Sequence, residues 1–362
     1  MKKILHIIGG MDRGGAESYI MNTLRNIDHK KYKFGILTFL PPRDGKKFAY
    51  ADELKKLGVE LISIPDNRFR RPYKFIADVA KVVKDGKYDI VHSHIDFMSS
   101  LSLAGARKAG VKKRIAHSHN TNNSKINSAK MRAVSAVLRK KLNHEATVRL
   151  ACGKNAGEFL YGADKKFTII HNGIDLKKFR YNSNTRKAVR AKLKIPEDAF
   201  VALNIGRLEE QKNQEHLIDL FADYLRKHKD AKLVIIGEGS LEHTLRNKIA
   251  SEYLEKSVIM LPAQDEMEKF YSMADIFMLP SLFEGVPTVG IEAQASGLIC
   301  LFSDKVPTET KLLDSAKFLP LNGDWLSAMK KSENRADAVK QPKIQEYDIK
   351  NTVKALEEVY DK

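Results

Sequence analysis

The sequence contains only two cysteines, Cys152 and Cys300, among 362 residues. Two cysteines cannot build a disulfide framework, so we expect a chain suited to a reducing cytoplasm. The sequence also lacks a run of about 20 apolar residues, which a helix needs to cross a bilayer. The apolar run at Ile4–Gly9 is too short for a signal peptide and leads into a glycine-rich loop instead of a cleavage site. We therefore expect neither a secreted nor a membrane-spanning protein.

Low-complexity segments and repeats of 20–50 residues are missing as well, which argues against disorder and solenoid folds. Charged residues make up 30% and hydrophobic residues 43% of the chain, a mixture typical of soluble globular proteins. A length of 362 residues predicts two domains of ordinary size, each able to bury its own core.

Acidic residues are scarce in the first half only. Residues 1–174 carry 34 Lys and Arg against 15 Asp and Glu, whereas residues 175–362 carry 29 against 30. The formal net charge of +18 therefore comes from the first half. This asymmetry predicts an anionic partner, either an acidic membrane surface or nucleic acid, with a merely solvated basic face as the alternative.

The segment from Arg107 to Arg149 is rich in bases, including Lys125 and Lys130, and has no aromatic residues. Stacking on nucleic-acid bases is therefore not expected. Within residues 129–149, apolar side chains lie near one face of a predicted helix, with bases beside them: Met131, Val134, Val137, Leu138 and Leu142. This pattern favours an interfacial membrane helix, and a core-packed helix with basic flanks is the alternative.

Short apolar runs alternate with helical patterns along the whole chain, which predicts parallel βαβ units. We predict first-half strands at Ile4–Gly9, Phe34–Phe39, Leu61–Pro65, Asp89–His94, Arg114–His119, Thr147–Cys152 and Phe167–His171. Second-half strands are predicted at Val201–Gly206, Leu233–Gly237, Val258–Leu261, Asp275–Leu279 and Leu298–Ser303. The fold class is thus α/β, with two doubly wound sheets in series that join near Asn172–Asp175.

Two carboxylates, Glu284 and Glu292, stand eight positions apart around a Gly-Pro turn and a predicted helix start. A carboxylate can accept hydrogen bonds from neighbouring sugar hydroxyls, and the free N–H groups of a helix start suit a phosphate or sugar oxygen. Arg207 and Lys212 follow another predicted strand end. Arg offers a bidentate fork and Lys a mobile charge, so both suit the oxygens of a diphosphate.

These motifs resemble the retaining GT-B glycosyltransferases of family 4. The resemblance rests on Glu-x7-Glu after the run Ala274–Ser281, on Gly-Arg-x4-Lys at Gly206–Lys212, and on Asn-Gly-Ile-Asp at the predicted join. It covers nearly the whole chain and implies two Rossmann-like domains that face each other across a cleft. Residues 1–174 would be the acceptor-side domain and residues 175–344 the donor-binding domain. The helix at 345–362, amphipathic through Ile349, Val353, Leu356 and Tyr360, would pack back on the first domain.

The resemblance also implies roles for individual residues. The catalytic residues would be His119, Glu284, Arg207 and Lys212, with Arg207 and Lys212 gripping the diphosphate and Glu284 holding the sugar. The donor would further contact Gly14, Gly15, Gly285, Val286, Pro287, Thr288 and Glu292, with Glu292 on the ribose. Pro287 has no N–H to donate. The glycine-rich loop Gly9–Glu17 does not match the G-x-G-x-x-G spacing of dinucleotide folds. A tight turn with positive φ is the alternative role of its glycines.

Four histidines cluster at predicted strand ends: His92, His94, His117 and His119. No Cys, His and carboxylate set has clear ligand spacing, so we expect no metal site. The resemblance places His119 near the donor sugar and the β-phosphate. His117 is expected on the opposite face of the strand, in a packing role.

The resemblance implies a retaining hexosyltransferase that takes a nucleotide sugar, a UDP-sugar by expectation, and uses no cofactor. The sequence has no Asp-x-Asp motif, so metal independence is expected. The run Glu292–Gly297 resembles the exopolysaccharide and capsule branch, which implies a polyprenyl-diphosphate-linked glycan acceptor. The expected location is the cytoplasmic face of the cell membrane, without nucleic acid as a partner. The alternatives are a non-hydrolysing UDP-sugar 2-epimerase and a basic nucleic-acid-binding protein.

Overall fold

The structure is a computed structural model that describes residues 1–42, 45, 47–121 and 129–362, with the side chains of Ala129 and Lys130 excepted. Lys125 and the side chain of Lys130, both part of the predicted basic segment, lie outside this description. The chain divides into two compact units. The first contains Met1–Gly173 and Ile349–Lys362, and the second contains Ile174–Asp348. In the described ranges, no helix combines the length and apolar character needed to cross a membrane.

The first unit is built on a seven-stranded sheet in the order β3-β2-β1-β4-β5-β6-β7, with every neighbouring pair parallel. Its strands are β1 Lys2–Ile7, β2 Tyr32–Thr38, β3 Glu60–Ser63, β4 Ile90–Ser93, β5 Lys113–Ser118, β6 Val148–Ala151 and β7 Thr168–Ile169. Its helices are α1 Gly15–Asn26, α2 Ala51–Lys56, α3 Pro72–Gly86, α4 Ser99–Lys108, α5 Ala129–Glu145, α6 Lys154–Tyr161 and α14 Ile349–Asp361. The strand order reverses at the pair β1 and β4, the position where such sheets bind ligands.

Each face of this sheet has its own apolar core. The carboxyl-terminal helix α14 contributes its apolar stripe to the face that also holds α1. The stripe consists of the four positions of the amphipathic pattern, all of them buried: Ile349, Val353, Leu356 and Tyr360. The chain thus returns to its first unit after completing the second because burying this stripe removes a large apolar surface from water.

Helix α5 does not present its apolar residues on one face. Leu142 is fully buried and Leu138 packs against the core, whereas Val137 is 69% exposed and Val134 40% exposed. The core-packed alternative therefore describes Leu138 and Leu142. The exposed Val134 and Val137 form a separate small apolar surface.

The second unit is built on a six-stranded sheet in the order β10-β9-β8-β11-β12-β13, again with every neighbouring pair parallel. Its strands are β8 Val201–Ile205, β9 Lys232–Ile236, β10 Val258–Leu261, β11 Ile276–Leu279, β12 Ile299–Ser303 and β13 Lys317–Leu319. Its helices are α7 Leu176–Phe179, α8 Ser183–Lys192, α9 Gln214–Leu225, α10 Glu242–Ser251, α11 Met267–Met273, α12 Thr288–Ala295 and α13 Pro342–Gln345.

The strand order of the second sheet reverses between β8 and β11, which lie side by side at its centre. The segments that follow these two strands are the ones with the sharpest sequence motifs, Gly206–Asn213 and Pro280–Pro287. Since the carboxyl ends of parallel strands meet at one edge of a sheet, the topology brings these two segments together.

Candidate functional site

The segment after β8 folds into a compact turn that fixes the position of Lys212. A 3₁₀ turn spans Glu210–Lys212, and Asn213 then takes a left-handed conformation with φ of 55° before α9 begins. The side-chain amide of Asn213 donates through Nδ2 to the carbonyl of Pro280 at 3.1 Å, which connects this turn to the segment after β11. A Cβ on Gly206 would lie 3.1 Å from Cε of Lys212, so the lysine stem lies closely over the glycine.

Lys212 and Glu284 form an ion pair in this edge. Nζ of Lys212 donates to Oε1 of Glu284 at 2.6 Å, and the two side chains are only 12% and 6% exposed. A pair this well shielded from water is screened little by salt. Each charge therefore holds the other in place where a ligand would approach.

Gln211 joins the two segments and was not predicted from the sequence. Its Nε2 donates to the carbonyl of Phe283 at 2.9 Å and lies 3.4 Å from Oε2 of Glu284. Its Oε1 accepts from Nη2 of the exposed Arg207 at 3.2 Å. The position of Gln211 between the two bases of Gly-Arg-x4-Lys was the signal that could have identified it.

The turn at residues 285–287 leads directly into α12, which begins at Thr288. Pro287 occupies the N-cap position with φ of −71° and ψ of 113°. At a helix start, the first N–H groups have no partner within the helix, so those of Thr288 and Val289 point toward the approach to the helix. Their partial positive charge, reinforced by the helix dipole, suits an anion or a sugar oxygen.

Glu292 lies one turn further along α12 and points toward Tyr271. The Tyr271 hydroxyl donates to Oε2 of Glu292 at 2.7 Å. Burial raises the pKa of Glu292 from 4.5 to about 7, although the hydrogen bond from Tyr271 opposes this shift. Tyr271 was also missed at the sequence level, because it belongs to α11 and no local pattern links it to α12.

In the first unit, Gly14 and Gly15 begin helix α1. Gly14 is the N-cap with an extended backbone, φ of −162° and ψ of 171°, and its carbonyl accepts from the amide of Ser18 at 2.9 Å. Neither of the two glycines, nor Gly9 or Gly10, has a positive φ. The interpretation of this loop as a turn that requires positive φ is therefore wrong.

His119 directly follows β5 and belongs to a group of five histidines in the core of the first unit. The others are His6, His92, His94 and His117, all buried. Burial lowers the pKa of His6 to about 3 and that of His119 to about 4. Burial likewise lowers the pKa of the other three, so all five imidazoles are neutral near pH 7.

The expectation that His117 lies on the opposite face from His119 is wrong. The two rings stack with centroids 4.3 Å apart and planes 27° apart. Successive side chains alternate across a strand, so residues two apart share a face. His117 is therefore a direct neighbour of His119.

Two groups of three histidines bring their ring nitrogens within 4.8 Å of one another, a spacing that a metal ion could bridge: His6 with His92 and His94, and His94 with His117 and His119. Sequence spacing did not indicate these groups, because their histidines come from three separate strands, β1, β4 and β5, or from the residues just after them. Several of the nitrogens already lie at hydrogen-bond distance from each other, such as Nδ1 of His6 and Nε2 of His94 at 2.9 Å.

Within the second unit, the structure thus brings together Arg207, Lys212 and Glu284, and it places Gly285, Val286, Pro287, Thr288 and Glu292 along the adjoining turn and helix α12. Within the first unit, it places His119 at the end of β5 and Gly14 and Gly15 at the start of α1. Tyr19 of α1 connects these two places, since its ring centroid lies 5.2 Å from that of His119.

Two family models match successive parts of the chain. The model described as "Glycosyltransferase Family 4" matches residues 13–178, and the model described as "Glycosyl transferases group 1" matches residues 185–354. The matched parts agree with the two units of the structure.

Curated relatives match along most or all of the chain. The putative glycosyltransferase EpsF of Bacillus subtilis is 32% identical over 99% of this chain and 96% of its own length. The capsular polysaccharide biosynthesis glycosyltransferase CapH of Staphylococcus aureus is 29% identical over 99% of both chains. An Escherichia coli UDP-Gal:alpha-D-GlcNAc-diphosphoundecaprenol alpha-1,3-galactosyltransferase is 31% identical over 64% of this chain and 62% of its own.

Among solved structures, HepE of Anabaena in complex with UDP superimposes with a TM-score of 0.79 and 17% sequence identity, over 100% of both chains. At this identity the likeness concerns the fold, which is the GT-B fold of glycosyltransferases. The fold, the two family models and the full-length similarity to EpsF lead to one conclusion: this chain belongs to glycosyltransferase family 4.

Proposed function

We propose that this glycosyltransferase moves a hexosyl group from a UDP-sugar to a lipid-linked glycan, with retention of configuration and without a metal ion, in the synthesis of a cell-surface polysaccharide. The observation that carries the proposal is the Lys212–Glu284 pair, at 2.6 Å, beside Arg207 and the start of α12. This edge of the second unit offers cations, a carboxylate and helix N–H groups within one small surface.

The chemistry requires these groups because negative charge grows on the leaving diphosphate as the anomeric bond breaks. Arg207 and Lys212 supply positive charge to the diphosphate, and the first N–H groups of α12 add partial positive charge. Two fixed cations can thus do what a metal ion does in glycosyltransferases that carry Asp-x-Asp.

The carboxylates recognise hydroxyls. Glu284 accepts from the transferred sugar while it stays paired with Lys212, and Glu292 accepts from the ribose. Glu284 is engaged by Lys212 and Gln211, which suits a binding group better than a nucleophile. The proposed retaining reaction is therefore a front-face displacement in which the leaving phosphate receives the proton of the acceptor hydroxyl.

The first unit takes the acceptor side in this proposal, and residues 174–348 bind the donor. His119, Gly14 and Gly15 would contact the donor sugar and its phosphates. The galactosyltransferase activity of the Escherichia coli relative on a diphosphoundecaprenol-linked sugar supports a glycan on a polyprenyl diphosphate as the acceptor. The role of CapH in capsular polysaccharide biosynthesis supports a role in a cell-surface polysaccharide.

The basic surface of the first unit would hold the enzyme at the anionic cytoplasmic face of the membrane, where a lipid-linked acceptor is found. A cavity of about 560 Å³ lies on this surface and is lined by cationic side chains, among them Arg139, Lys140, Arg149 and Lys165. Such a surface gains attraction to acidic lipids with each base that lies near them.

A donor screen tests the proposal without an acceptor. Purified protein is incubated with UDP-, GDP- and ADP-sugars, and slow release of free nucleotide is measured. We expect release from one or more UDP-sugars, and its loss in Lys212→Ala. Lys256→Ala serves as the control, because Lys256 is exposed and precedes β10 at the opposite edge of the sheet.

Adding a polyprenyl-diphosphate-linked saccharide should accelerate the release and give a glycosylated lipid whose new bond keeps the anomeric configuration of the donor. Conversion of the UDP-sugar into its 2-epimer would establish the epimerase instead. Binding of oligonucleotide with a steep salt dependence, and no turnover of any nucleotide sugar, would refute the transferase.

A further inference from the structure

The five core histidines of the first unit are linked to one another and to a tyrosine of the carboxyl-terminal helix α14. Nδ1 of His94 lies 2.9 Å from Nε2 of His119, and Nδ1 of His6 lies 2.9 Å from Nε2 of His94. The Tyr360 hydroxyl lies 3.4 Å from Nε2 of His6 and 2.9 Å from Nδ1 of His92. Nε2 of His92 lies 3.2 Å from Nδ1 of His117.

These contacts form one unbranched series: His119, His94, His6, Tyr360, His92 and His117. A neutral imidazole has one N–H donor and one acceptor nitrogen, and which nitrogen carries the hydrogen is fixed by the bond that the other makes. Every link between two rings joins an Nδ1 to an Nε2. If one ring carries its hydrogen on Nδ1, its neighbours must therefore do the same.

Tyr360 links the two halves of the series, so that the direction of hydrogen-bond donation in one half sets the direction in the other. Its hydroxyl can donate one hydrogen bond and accept others. If Nε2 of His6 is an acceptor, Tyr360 donates to it, and Nδ1 of His92 must then donate to Tyr360. The series consequently has two fully bonded states, one with every hydrogen on Nδ1 and one with every hydrogen on Nε2.

The ends of the series distinguish the two states. In the described part of the chain, Nε2 of His117 and Nδ1 of His119 are buried and have no hydrogen-bond partner of normal geometry, and the same holds for Oδ1 of Asn172. The side chain of Asn172 lies close enough to His119 to counteract the drop in its pKa caused by burial, which is the effect of an oxygen that faces an N–H.

The Nε2–H state would leave a buried donor unpaired at His117 and would turn an acceptor nitrogen of His119 toward the oxygen of Asn172. A buried donor without a partner is costly, and buried N–H groups without one are rare. The Nδ1–H state avoids both problems, because His119 then offers a hydrogen toward Asn172 and only an acceptor nitrogen of His117 is left without a partner.

We propose that the six side chains form a single hydrogen-bond chain in which all five histidines are neutral Nδ1–H tautomers, so that His119 is preset as a hydrogen-bond donor, with Asn172 and Tyr360 as positioning residues. Nε2 of His119 is occupied by His94 and its buried Nδ1–H is directed toward Asn172, so a ligand would receive this hydrogen only by taking the place of the Asn172 oxygen. This last use rests on the proposed function, in which His119 contacts the oxygens of the nucleotide sugar.

The test is the tautomeric state of each ring in the full-length protein without donor. Protein labelled with ¹⁵N in histidine is examined by long-range ¹H–¹⁵N correlation at pH 7, and the rings are assigned by single His→Gln variants. We expect the Nδ1–H pattern for all five core histidines, although histidine in water favours Nε2–H. An Nε2–H pattern at His119 in the wild-type protein would overturn the proposal. Fewer than five Nδ1–H rings in the wild-type spectrum would do so as well, and that count needs no variant.

Variants then test each positioning residue. Tyr360→Phe should release His92 and His117 toward Nε2–H while His6, His94 and His119 keep their hydrogen on Nδ1, because the Asn172 end is intact. Asn172→Leu should release His119 together with His94 and His6, because linked rings share one tautomer. Tyr32→Phe is the control, since Tyr32 packs 5.7 Å from Tyr360 and donates to Asp361 outside the series. Unchanged spectra of His92 and His117 in Tyr360→Phe would show that Tyr360 does not couple their tautomers to those of the other three histidines.

Two further outcomes are separable from these. Stoichiometric Zn²⁺ in the purified protein, together with metal-shifted nitrogen signals, would replace the hydrogen-bond chain by a metal centre. The expected tautomers combined with wild-type donor hydrolysis in Asn172→Leu would refute the use of His119 on the donor and leave the hydrogen-bond chain standing. Loss of hydrolysis in Lys212→Ala tests the proposed function separately from either result.

Discussion

Nζ of Lys212 lies 2.6 Å from Oε1 of Glu284, although the two residues are 72 positions apart in the chain. They come from the segments after β8 and β11, which are neighbours in the sheet. The pair gives the site a buried positive and a buried negative charge that neutralise each other before any ligand is bound.

Replacing Lys212 by Ala should lower turnover about a hundredfold or more, because the cation proposed to neutralise the leaving diphosphate is lost. The same change removes the cation that pairs with the buried Glu284 and should reduce the free energy of unfolding by about 3 kcal/mol. The double variant Lys212→Met with Glu284→Gln should recover most of that stability but not the activity. Urea unfolding and steady-state kinetics measure the two effects. Activity that returned together with stability would show that Lys212 acts only through folding.

Glu284→Gln and Glu292→Gln should have separable defects. The first should reduce sugar transfer much more than affinity for UDP, because Glu284 is assigned to the sugar. The second should weaken UDP itself, because Glu292 is assigned to the ribose. Calorimetric titration with UDP and donor-hydrolysis rates provide the comparison. An equal loss of UDP affinity in both variants would contradict the assigned roles.

Glu292 should make the stability of the protein depend on pH. Its pKa is raised from 4.5 to about 7, so between these pH values the folded state binds more protons than the unfolded state. The contribution of Glu292 to stability therefore falls as pH rises through this window. Glu292→Gln removes the cost of ionising this buried carboxyl. The free energy of unfolding should therefore exceed that of the wild type by up to about 3 kcal/mol at pH 8, and by much less at pH 5.

Urea unfolding at pH 5 and pH 8 measures this difference. Glu255→Gln is the matched control, because Glu255 is exposed in the same unit. A gain of equal size at both pH values, or an equal gain in the control, would show that Glu292 does not titrate in this range.

Donor hydrolysis should be unaffected by EDTA, because Arg207 and Lys212 are proposed to neutralise the diphosphate. Rates with 5–10 equivalents of EDTA and with added Mg²⁺ or Mn²⁺ should agree within about twofold, since neither cation of the site is removed. Activity that disappeared with EDTA and returned with Mn²⁺ would establish a metal requirement.

The basic face of the first unit should bind anionic vesicles. Arg139 is a poor choice for testing this, because its Nη2 donates to the carbonyl of Phe159 at 2.9 Å and its guanidinium lies over the ring of Phe97. Arg132 and Lys140 are exposed, so their exchange for Glu should weaken co-sedimentation with anionic vesicles while donor hydrolysis is retained.

The control exchanges two exposed lysines of the second unit, Lys227 and Lys229, for Glu. It changes the net charge of the protein by the same amount and should leave vesicle binding intact. Binding at high salt and to neutral vesicles should be weak in every case. If both double variants weakened vesicle binding equally, binding would depend only on the net charge of the protein and not on the basic face of the first unit.

Much of the fold followed from local patterns. Alternating strands and helices predicted the two parallel sheets, because buried parallel strands are short continuous apolar runs that stand out between amphipathic helices. The strand β13, Lys317–Leu319, was missed because three residues at a sheet edge carry too little pattern. The stripe Ile349, Val353, Leu356 and Tyr360 was visible, since one helix holds all four positions.

Local motifs were enough to indicate the family and to supply the candidate charged groups, because the spacings of Gly-Arg-x4-Lys and Glu-x7-Glu follow from one turn and one helix. Which of these groups are in contact depends on the tertiary structure. The Lys212–Glu284 pair, the Tyr271–Glu292 hydrogen bond and the histidine series that runs through Tyr360 all join separate strands and helices. The order of strands in a sheet sets such contacts, and no local spacing in the chain records that order.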